Sequence, residues 1–291
     1  MDVSIIIVTY NSAAFIAECL RTLKDRTQGV SFETIVVDNA SPDGTADIVA
    51  RDFPDVRLIR RSANAGLAVA VNEGARLASG DVLVWANPDI RFDEDALTPI
   101  VRYLRDHPDV GALGPKLVDP DGSVQLSCRQ FPGFRTAIFN RYSLATRLLP
   151  WNPVSRAYLM TDFDHATVRD VDWVSGAFMA VPRRVFEELG GLDEGYFLYN
   201  EDVDFCQRVH RAGYCVVYFP EARVVHHIGG SSRHAPLRMI VARHRSMWRY
   251  YRKYFDRNPA LDAVTLAGIV ARCAYLLGWN AVLRLVGRAR A

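Results

Sequence analysis

Groups of polar residues, far apart in the chain, carry the side chains that metal binding and proton transfer require. Asp38 follows the apolar run Thr34–Val37, and Asn87-Pro88-Asp89 follows the run Val82–Trp85. Asp38 could accept hydrogen bonds from a nucleobase or a ribose, and Asp89 could hold Mg²⁺ or Mn²⁺, which would neutralise a leaving diphosphate. Each group also has an ordinary interpretation, because aspartate caps helices and Asn-Pro-Asp favours turns.

A more acidic segment, Glu201-Asp202-Val203-Asp204, stands at the start of a predicted helix. The helix dipole favours acids there, which would be explanation enough. The approach to this segment, however, is the apolar Phe197-Leu198-Tyr199. A carboxylate beside apolar walls can have a raised pKa and serve as a general base, so we favour a functional interpretation of this segment.

A histidine pair, His226-His227, follows the strand-like stretch Arg223–Val225 and precedes Gly229 and Gly230. A neutral imidazole can complete the coordination of a metal ion, and glycines allow the backbone to approach a phosphate closely. A histidine pair alone is more often structural, and this spacing is not a zinc signature. The pair gains meaning only together with the acidic groups.

The elements that position these groups follow a βαβα rhythm over the first 115 residues, which predicts a largely parallel sheet covered on both faces. Right-handed crossovers place the carboxyl ends of the strands at one edge, where ligands of such sheets bind. The predicted strands are Val3–Val8, Thr34–Val37, Val56–Ile59, Val82–Trp85 and Val110–Leu113, and the predicted helices are Ala13–Lys24, Gly44–Asp52, Gly66–Ala78 and Asp93–Asp106. Thr9-Tyr10-Asn11, Asp38-Asn39-Ala40-Ser41 and Asn87-Pro88-Asp89 should therefore face one crevice.

Residues 116–170 are less regular and contain several prolines, which indicates strand fragments and a long loop near the site. Regularity returns at Trp173, and patterns of apolar residues predict two strands and two helices. These are a strand at Trp173–Val181, a helix at Arg183–Leu189, a helix at Glu201–Ala212 and a strand at Cys215–Tyr218.

The composition is that of an ordinary globular protein of 291 residues, with 49% hydrophobic and 23% charged residues. Its five cysteines are scattered without metal-site spacing, and no signal peptide precedes the first strand, so a cytoplasmic location is expected. The net charge of +2 conceals an asymmetry. Residues 1–232 hold 23 Lys/Arg and 31 Asp/Glu, whereas residues 233–291 hold 12 and 2.

The basic tail begins with residues 233–257, where eight Lys/Arg alternate with aromatic residues. Such a helix suits an anionic membrane surface, but it could equally pack its aromatic face on the rest of the protein. Nucleic-acid binding is a weaker interpretation, because no recognition motif accompanies the charge. Ala263–Val286 should form an amphipathic or packing helix, and Arg272, Asn280 and Arg284 within it argue against a membrane span.

Together these segments resemble glycosyltransferase family 2, which has the α/β GT-A fold, and in particular its bacterial rhamnosyltransferase-like branch. The resemblance covers roughly residues 3–232. The matching segments, in family order, are Val3–Asn11, Val36–Ser41, Asn64 with Gly66 and Asn72, Gly80-Asp81, Trp173–Ala177, Gly190–Asp193, Glu201–Asp204 with Arg208, and His227–Gly230.

The resemblance implies a role for each matching residue. The donor site would comprise Thr9, Tyr10, Asn11, Asp38, Asn39, Gly66, Asn72, Asn87 and Asp89. Trp173, Gly176 and Glu201 would bind the acceptor, and Asp89 and His227 would bind Mg²⁺ or Mn²⁺. Asp202 would be the general base of a single inverting displacement. Residues 1–232 would form the catalytic domain, with a nucleotide-sugar-binding half (1–115) and an acceptor-binding half (116–232), and residues 233–291 a helical extension.

Two departures from the family pattern matter. The usual Asp-X-Asp motif is Asn87-Pro88-Asp89 here, which removes one negative charge from the metal site. The Gln-X-X-Arg-Trp motif of processive members is absent, so we expect one sugar to be added per encounter.

The resemblance implies a substrate pair and a place of action. The expected donor is a nucleoside-diphosphate sugar, with dTDP-rhamnose first, and the acceptor is a glycan or a polyprenyl-diphosphate-linked sugar used in cell-envelope polysaccharide synthesis. The enzyme would be cytoplasmic, with peripheral contact at the inner face of the cell membrane and no nucleic-acid partner. The oligomeric state is left open.

Two alternatives belong to other classes. A sugar nucleotidyltransferase would usually have a Gly-rich, basic signature after the first strand, and Thr9-Tyr10-Asn11-Ser12 has neither feature. A membrane-associated assembly protein of the same fold would lack turnover. The presence of Asp89 and of Glu201-Asp202 argues against this second alternative.

Overall fold

The computed structural model describes residues 1–134, 136, 149, 151–227, 236–256 and 258–288, with side chains omitted for 236 and 283–288. The glycines expected to follow the histidine pair, Gly229 and Gly230, lie outside the described residues. So do Ile228, Arg233 and Arg257.

The core of the molecule is a mixed sheet of nine strands in the order β3-β2-β1-β4-β10-β6-β11-β5, with β8 also paired to β11. A two-stranded sheet, β7-β9, lies apart from it. The strands are β1 (Val3–Thr9), β2 (Phe32–Asp38), β3 (Arg57–Arg60), β4 (Val82–Ala86), β5 (Ile90–Arg91), β6 (Val110–Val118), β7 (Cys128–Arg129), β8 (Arg169–Asp170), β9 (Trp173–Val174), β10 (Phe178–Pro182) and β11 (Cys215–His226).

The first four strands are parallel, as the sequence predicts, and their carboxyl ends share one edge. β1 pairs with β2 so that Thr9 lies beside Asp38, and it also pairs with β4. The antiparallel strand β10 then separates β4 from β6. This inversion joins the first four strands to the remaining strands within one continuous sheet.

Helices cover both faces of the sheet, because consecutive apolar residues of the strands point to opposite sides. Ile5 and Ile7 face a layer containing α1, α2 and α4, whereas Ile6 and Trp85 face α3, α6 and α7. The helices are α1 (Ile16–Arg26), α2 (Thr45–Asp52), α3 (Leu67–Leu77), α4 (Leu97–Asp106), α5 (Pro153–Leu159), α6 (Arg183–Glu188), α7 (Glu201–Arg211), α8 (Pro236–Tyr254) and α9 (Pro259–Arg288).

Two sequence-based strands were assigned incorrectly. The expected strand Trp173–Val181 is broken into β9 and β10 by a turn, where the backbone N–H groups of Ala177 and Phe178 are donated to Ser175. The expected strand Cys215–Tyr218 runs on to His226, because a register shift between Phe219 and Arg223 lets it pair past Pro220. The broken strand changes the site, because it creates a turn beside the acidic helix α7.

Helix α8, the first helix of the basic tail, packs against the rest of the molecule through its aromatic residues. Tyr250 and Tyr251 are buried, and Tyr250 belongs to the same apolar layer as α7. The packing interpretation of the basic segment is therefore confirmed for the described residues. The division of the chain at residue 232 stays a prediction.

The last helix, α9, is long and apolar. By length and composition Pro259–Val282 could cross a membrane, and its most apolar stretch has no buried residue. In the sequence, Arg272, Asn280 and Arg284 weigh against a span, and the position of α9 relative to a membrane stays a prediction.

Candidate active site

The first part of the site lies where β1 and β2 end. Thr9 is fully buried and donates its hydroxyl hydrogen to Asp38 Oδ1 at 2.7 Å. The backbone N–H of Ser41 donates to Asp38 Oδ2 at 2.9 Å, and the Ser41 hydroxyl also donates to this carboxylate. Three donors thus fix the Asp38 carboxylate at the edge of the sheet.

The loops after these strands adopt left-handed backbone conformations, with φ of 56° at Asn11 and 61° at Ala40. Asn39 donates from its side-chain amide to the carbonyl of Gly66 at 3.2 Å. The side-chain oxygens of Asn11 and Asn39 are buried and have no hydrogen-bond partner among the described residues. A buried acceptor without a donor costs free energy, so both oxygens are suited to receive N–H or O–H groups of a ligand. Tyr10, which precedes Asn11, is half-buried.

The ring of His226 lies beside the Asn87-Pro88-Asp89 turn, whereas the resemblance pointed to His227 as the metal ligand. His226 Nε2 lies 3.3 Å from Asn87 Nδ2 and 3.5 Å from Asp89 Oδ1. Gln125 fixes the ring, with Oε1 2.9 Å from His226 Nδ1 and Nε2 donating to the His226 carbonyl at 2.7 Å. Gln125 therefore fixes the His226 ring beside the side chains of Asn87 and Asp89.

His227 follows β11 directly, and its backbone N–H donates to the Asp89 carbonyl at 3.0 Å. Its ring lies 5.8 Å from the Phe15 ring, centroid to centroid. Its Nε2 is buried and has no hydrogen-bond partner among the described residues. Among the residues that the structure describes, no group of three or more His, Cys, Asp or Glu side chains is arranged to hold a metal ion.

The acidic helix α7 presents Asp202 to the turn that interrupts the expected strand. Asp202 Oδ2 accepts the backbone N–H of Gly176 at 2.9 Å, and Oδ1 accepts that of Val203 at 2.8 Å. A Cβ at Gly176 would stand 3.1 Å from the Asp202 Cβ, so a larger residue here would crowd this carboxylate. Gly176 thus leaves room for the aspartate and holds it.

The two acids at the start of α7 have raised pKa values for a shared physical reason. Burial raises the pKa of Asp202, against the hydrogen bonds from Gly176 and Val203 and the charge of Arg129, which lower it. Burial and the Asp202 charge raise the pKa of Glu201 well above its ordinary value. Glu201 is 4% exposed and its Oε2 has no hydrogen-bond partner among the described residues. Because the pKa of Glu201 is raised further than that of Asp202, we expect Asp202 to lose its proton first as the pH rises.

One turn joins the two halves of the site. The Gly176 N–H binds Asp202, and the carbonyl of the next residue, Ala177, accepts the backbone N–H of Asn87 at 2.8 Å. The acidic helix is therefore bonded to Gly176, and the Asn87-Pro88-Asp89 turn is bonded to the adjacent residue, Ala177. This contact brings together the predicted base and the predicted donor-binding turn.

Two predicted site residues make other contacts. Asn72 binds the Leu192 backbone in both directions, with Oδ1 accepting at 2.8 Å and Nδ2 donating at 2.9 Å, and Nδ2 also donates to Glu194. These bonds hold a loop to α3, and the structure does not bring Asn72 to the turn at Asn87. Trp173 is buried, and its ring Nε1 donates to the Gln130 carbonyl at 2.8 Å. Their predicted ligand contacts stay predictions.

The basic helix α8 contributes to the acidic side of the site through contacts that sequence patterns did not reveal. Ser246 donates to the Leu198 carbonyl at 2.9 Å, and the Arg243 guanidinium lies 4.4 Å from the centroid of the Tyr199 ring. Tyr199 and Asn200, just before Glu201, both have a φ of 69°. The helix therefore supports a strained segment that leads into the acidic residues.

Several solved structures share this architecture. A mannosyltransferase of Pyrobaculum calidifontis, described in complex with GDP-Man and Mn²⁺, gives a TM-score of 0.58 at 21% identity and covers 97% of this chain and 80% of its own. A structure titled GalNAc-T7 with UDP, GalNAc and Mn²⁺ gives 0.59 at 18% identity and covers 88% of this chain and 49% of its own. The fold is that of a GT-A glycosyltransferase.

Comparison with sequence families narrows this class. Residues 4–190 match the model of Glycosyl transferase family 2. An N-acetylglucosaminyl-diphospho-decaprenol L-rhamnosyltransferase of Mycobacterium tuberculosis is 33% identical over 255 residues, which are 84% of this chain and 82% of the relative. Rhamnosyltransferase WbbL of Escherichia coli is 28% identical over 206 residues, which are 69% of this chain and 74% of the relative. The chain belongs to glycosyltransferase family 2, and the resemblance to its rhamnosyltransferase-like branch is confirmed.

Proposed function

We propose that this enzyme transfers L-rhamnose from dTDP-rhamnose to a hydroxyl of a lipid-linked, diphosphate-bearing sugar in cell-envelope polysaccharide synthesis. The observation that carries the proposal is the turn that binds both Asp202 and Asn87, since it joins a base to a donor-binding turn. The names of the relatives support rhamnose as the sugar and a diphospho-lipid as the acceptor.

On the donor side, the nucleoside would lie over the ends of β1 and β2. The Asp38 carboxylate, fixed by Thr9 and Ser41, would accept hydrogen bonds from the base or ribose. The buried side-chain oxygens of Asn11 and Asn39 offer two further acceptors. Tyr10 and Asn87 would complete the walls around the nucleoside and sugar.

On the acceptor side, Asp202 would act as the general base of a single inverting displacement. The acceptor oxygen attacks the anomeric carbon, its proton passes to Asp202, and the bond from this carbon to the diphosphate oxygen breaks on the opposite face. The raised pKa of Asp202 suits this role, because a base with a pKa nearer neutrality accepts a proton more readily. Proximity of base and acceptor supplies much of the remaining acceleration.

The residues near Asn87 fit a divalent cation, Mg²⁺ or Mn²⁺. Asp89 offers a buried carboxylate, and His227 offers a buried Nε2 without a hydrogen-bond partner among the described residues. Two protein ligands suffice for such ions when diphosphate oxygens and water supply the others. When bound, the ion neutralises charge on the departing diphosphate.

We infer peripheral contact with an anionic membrane at the cytoplasmic face, where a lipid-linked acceptor would be presented. The exposed apolar surface of α9 supports this contact, with Val264, Tyr275 and Trp279 each more than half exposed. Arginines of the preceding helix add positive charge beside it, which attracts anionic headgroups. The membrane would then hold the acceptor lipid close to the site.

The test is transfer from dTDP-rhamnose to a short-chain prenyl-diphospho-N-acetylglucosamine, with Mg²⁺ or Mn²⁺ present. Asp202→Asn should lower kcat by about 10²–10⁴-fold, the usual contribution of a general base. Binding of dTDP, followed by thermal shift, should change little, because Asp202 does not lie on the nucleotide side. Glu201→Gln alters the neighbouring acid, which the resemblance places in acceptor binding, and should change KM for the acceptor more than kcat.

Two results would contradict the proposal. Full activity of Asp202→Asn would remove Asp202 from the role of base. Absence of any stabilisation by dTDP or dTDP-rhamnose, in the presence of either ion, would contradict the donor assignment, since a ligand of the native state raises apparent stability.

A further inference from the structure

Arg129 is an arginine beside the acidic helix that the proposed chemistry does not use. It lies in β7 directly opposite Trp173 of β9. Its guanidinium carbon stands 5.1 Å from the centroid of the Trp173 ring and 6.0 Å from that of Tyr158. Its Nε donates to the Leu126 carbonyl at 3.3 Å. Two aromatic rings and one backbone bond thus hold this side chain in one orientation.

The remaining donors of Arg129 are not used within the protein. Neither terminal nitrogen has a hydrogen-bond partner or a carboxylate within salt-bridge distance in the part of the chain that the structure describes. Arg249 and Arg208, by contrast, are paired with Asp193 and Asp204. A half-buried guanidinium with two unused nitrogens is suited to an anion from outside the chain.

The position of Arg129 relates it to the acceptor rather than to the donor. Ser127, two residues earlier, accepts the backbone N–H of Ser175 at 2.8 Å, and the next residue, Gly176, binds Asp202. The guanidinium is also near enough for its charge to oppose the pKa rise that burial causes at Asp202. Arg129 therefore faces the space beside the proposed base, where the acceptor hydroxyl must come.

We propose that Arg129 binds the diphosphate of the acceptor, and this inference rests on the function proposed above. A diphosphate-linked sugar has its anionic group one sugar ring away from the hydroxyls that can react. A planar guanidinium can bind phosphate oxygens through two parallel hydrogen bonds, which a lysine cannot reproduce. Stacking on Trp173 fixes the guanidinium in advance, so little entropy is lost on binding.

The test compares two acceptors with the same sugar, one carrying a prenyl diphosphate and the other a neutral alkyl group. Arg129→Met should raise KM for the diphosphate acceptor by about 10–100-fold, the usual effect of losing charged hydrogen bonds. The preference for this acceptor over the neutral one should fall by the same factor, and Arg129→Lys should recover only part of it. Arg169→Met is the matched control, because Arg169 also stacks on an aromatic ring, Phe163 at 4.8 Å, but lies in β8.

Binding of the diphosphate acceptor without donor, measured by calorimetry, separates the two proposals. If wild-type protein binds this acceptor tenfold or more tightly than Arg129→Met does, the inference holds even when no donor gives transfer, and only the proposed function fails. Equal binding by the two proteins would overturn the inference while leaving transfer activity as a separate question. Arg129→Met could instead lower kcat equally with both acceptors and move the acid side of the pH profile to higher pH. That result would show that Arg129 acts only by lowering the pKa of Asp202, and it would also overturn the inference.

Discussion

Lys253 links helix α8 to two carboxylates on the acidic side of the site. Its ammonium nitrogen lies 2.8 Å from Asp193 Oδ2 and 2.6 Å from Asp204 Oδ1. The Asp204 side chain has no exposed surface, and the Lys253 side chain is 32% exposed. Lys253→Met keeps most of the aliphatic stem and removes the ammonium, so the variant isolates the two ion pairs.

The expected loss follows from what remains after the substitution. A hydrogen bond to a charged group contributes about 1.5–3 kcal/mol, and two such bonds set the upper limit. Asp204 would still accept hydrogen bonds from Arg208 at 2.9 Å and Tyr254 at 2.8 Å, so its charge would not be left alone. We therefore expect the free energy of unfolding to fall by about 2 kcal/mol, well below the cost of an uncompensated buried charge.

Urea unfolding followed by far-ultraviolet circular dichroism measures this difference, and Tm should fall by about 4 °C. Arg252→Met is the matched control, since Arg252 is the neighbouring residue, is exposed, and stacks on Trp248 at 5.7 Å. It removes the same charge without breaking an ion pair among the described residues. If the two variants differ by less than about 0.5 kcal/mol, the ion pairs do not hold α8 in place and the reasoning is wrong.

Other consequences concern pH, a glycine and the last helix. The base must be ionised and burial raises the pKa of Asp202, so kcat/KM should fall as pH decreases, and the fall should begin above the ordinary aspartate range. Glu201→Gln should not shift this acid side of the pH profile. A fall that begins only in the ordinary aspartate range would contradict the assignment of Asp202 as the base. Gly66→Ala should destabilise by at least about 2 kcal/mol in urea unfolding, since its φ is +95° and its Cβ would stand 2.3 Å from a backbone oxygen. Gly44→Ala, with φ +85° and nothing within 4 Å, should cost only about 1 kcal/mol, and equal losses would refute the clash. Trp279→Asp should reduce flotation with anionic vesicles, and unchanged flotation would count against membrane contact through α9.

Local pattern was enough to predict the frame of the molecule. The apolar runs of β1, β2 and β4 and the intervening helices lie within a few residues of the predicted bounds, because each segment carries its own hydrophobic period. Parallel strands then bring their carboxyl ends to one edge by chain topology alone. For that reason the sequence could predict that Thr9 and Asp38 meet, and the structure places them 2.7 Å apart.

The contacts between distant segments could not be predicted in this way. Which of the two histidine rings contacts the Asn87 and Asp89 side chains depends on strand register, because adjacent residues of a strand point to opposite faces. The register is set by the pairing of His226 with Ile90, more than a hundred residues earlier in the chain. A histidine pair read by itself contains no information about that partner.

The break between β9 and β10 and the position of helix α8 were decided by tertiary structure for the same reason. An apolar run predicts an extended segment. The turn at Gly176 that interrupts this segment is bound by the Asp202 carboxylate, from a helix 26 residues further on. The basic residues of α8 looked like a solvated or membrane-binding surface, and two of them are ion-paired to Asp193 instead. Charge composition states how many cations a segment carries, whereas only the folded chain determines which carboxylates stand opposite them.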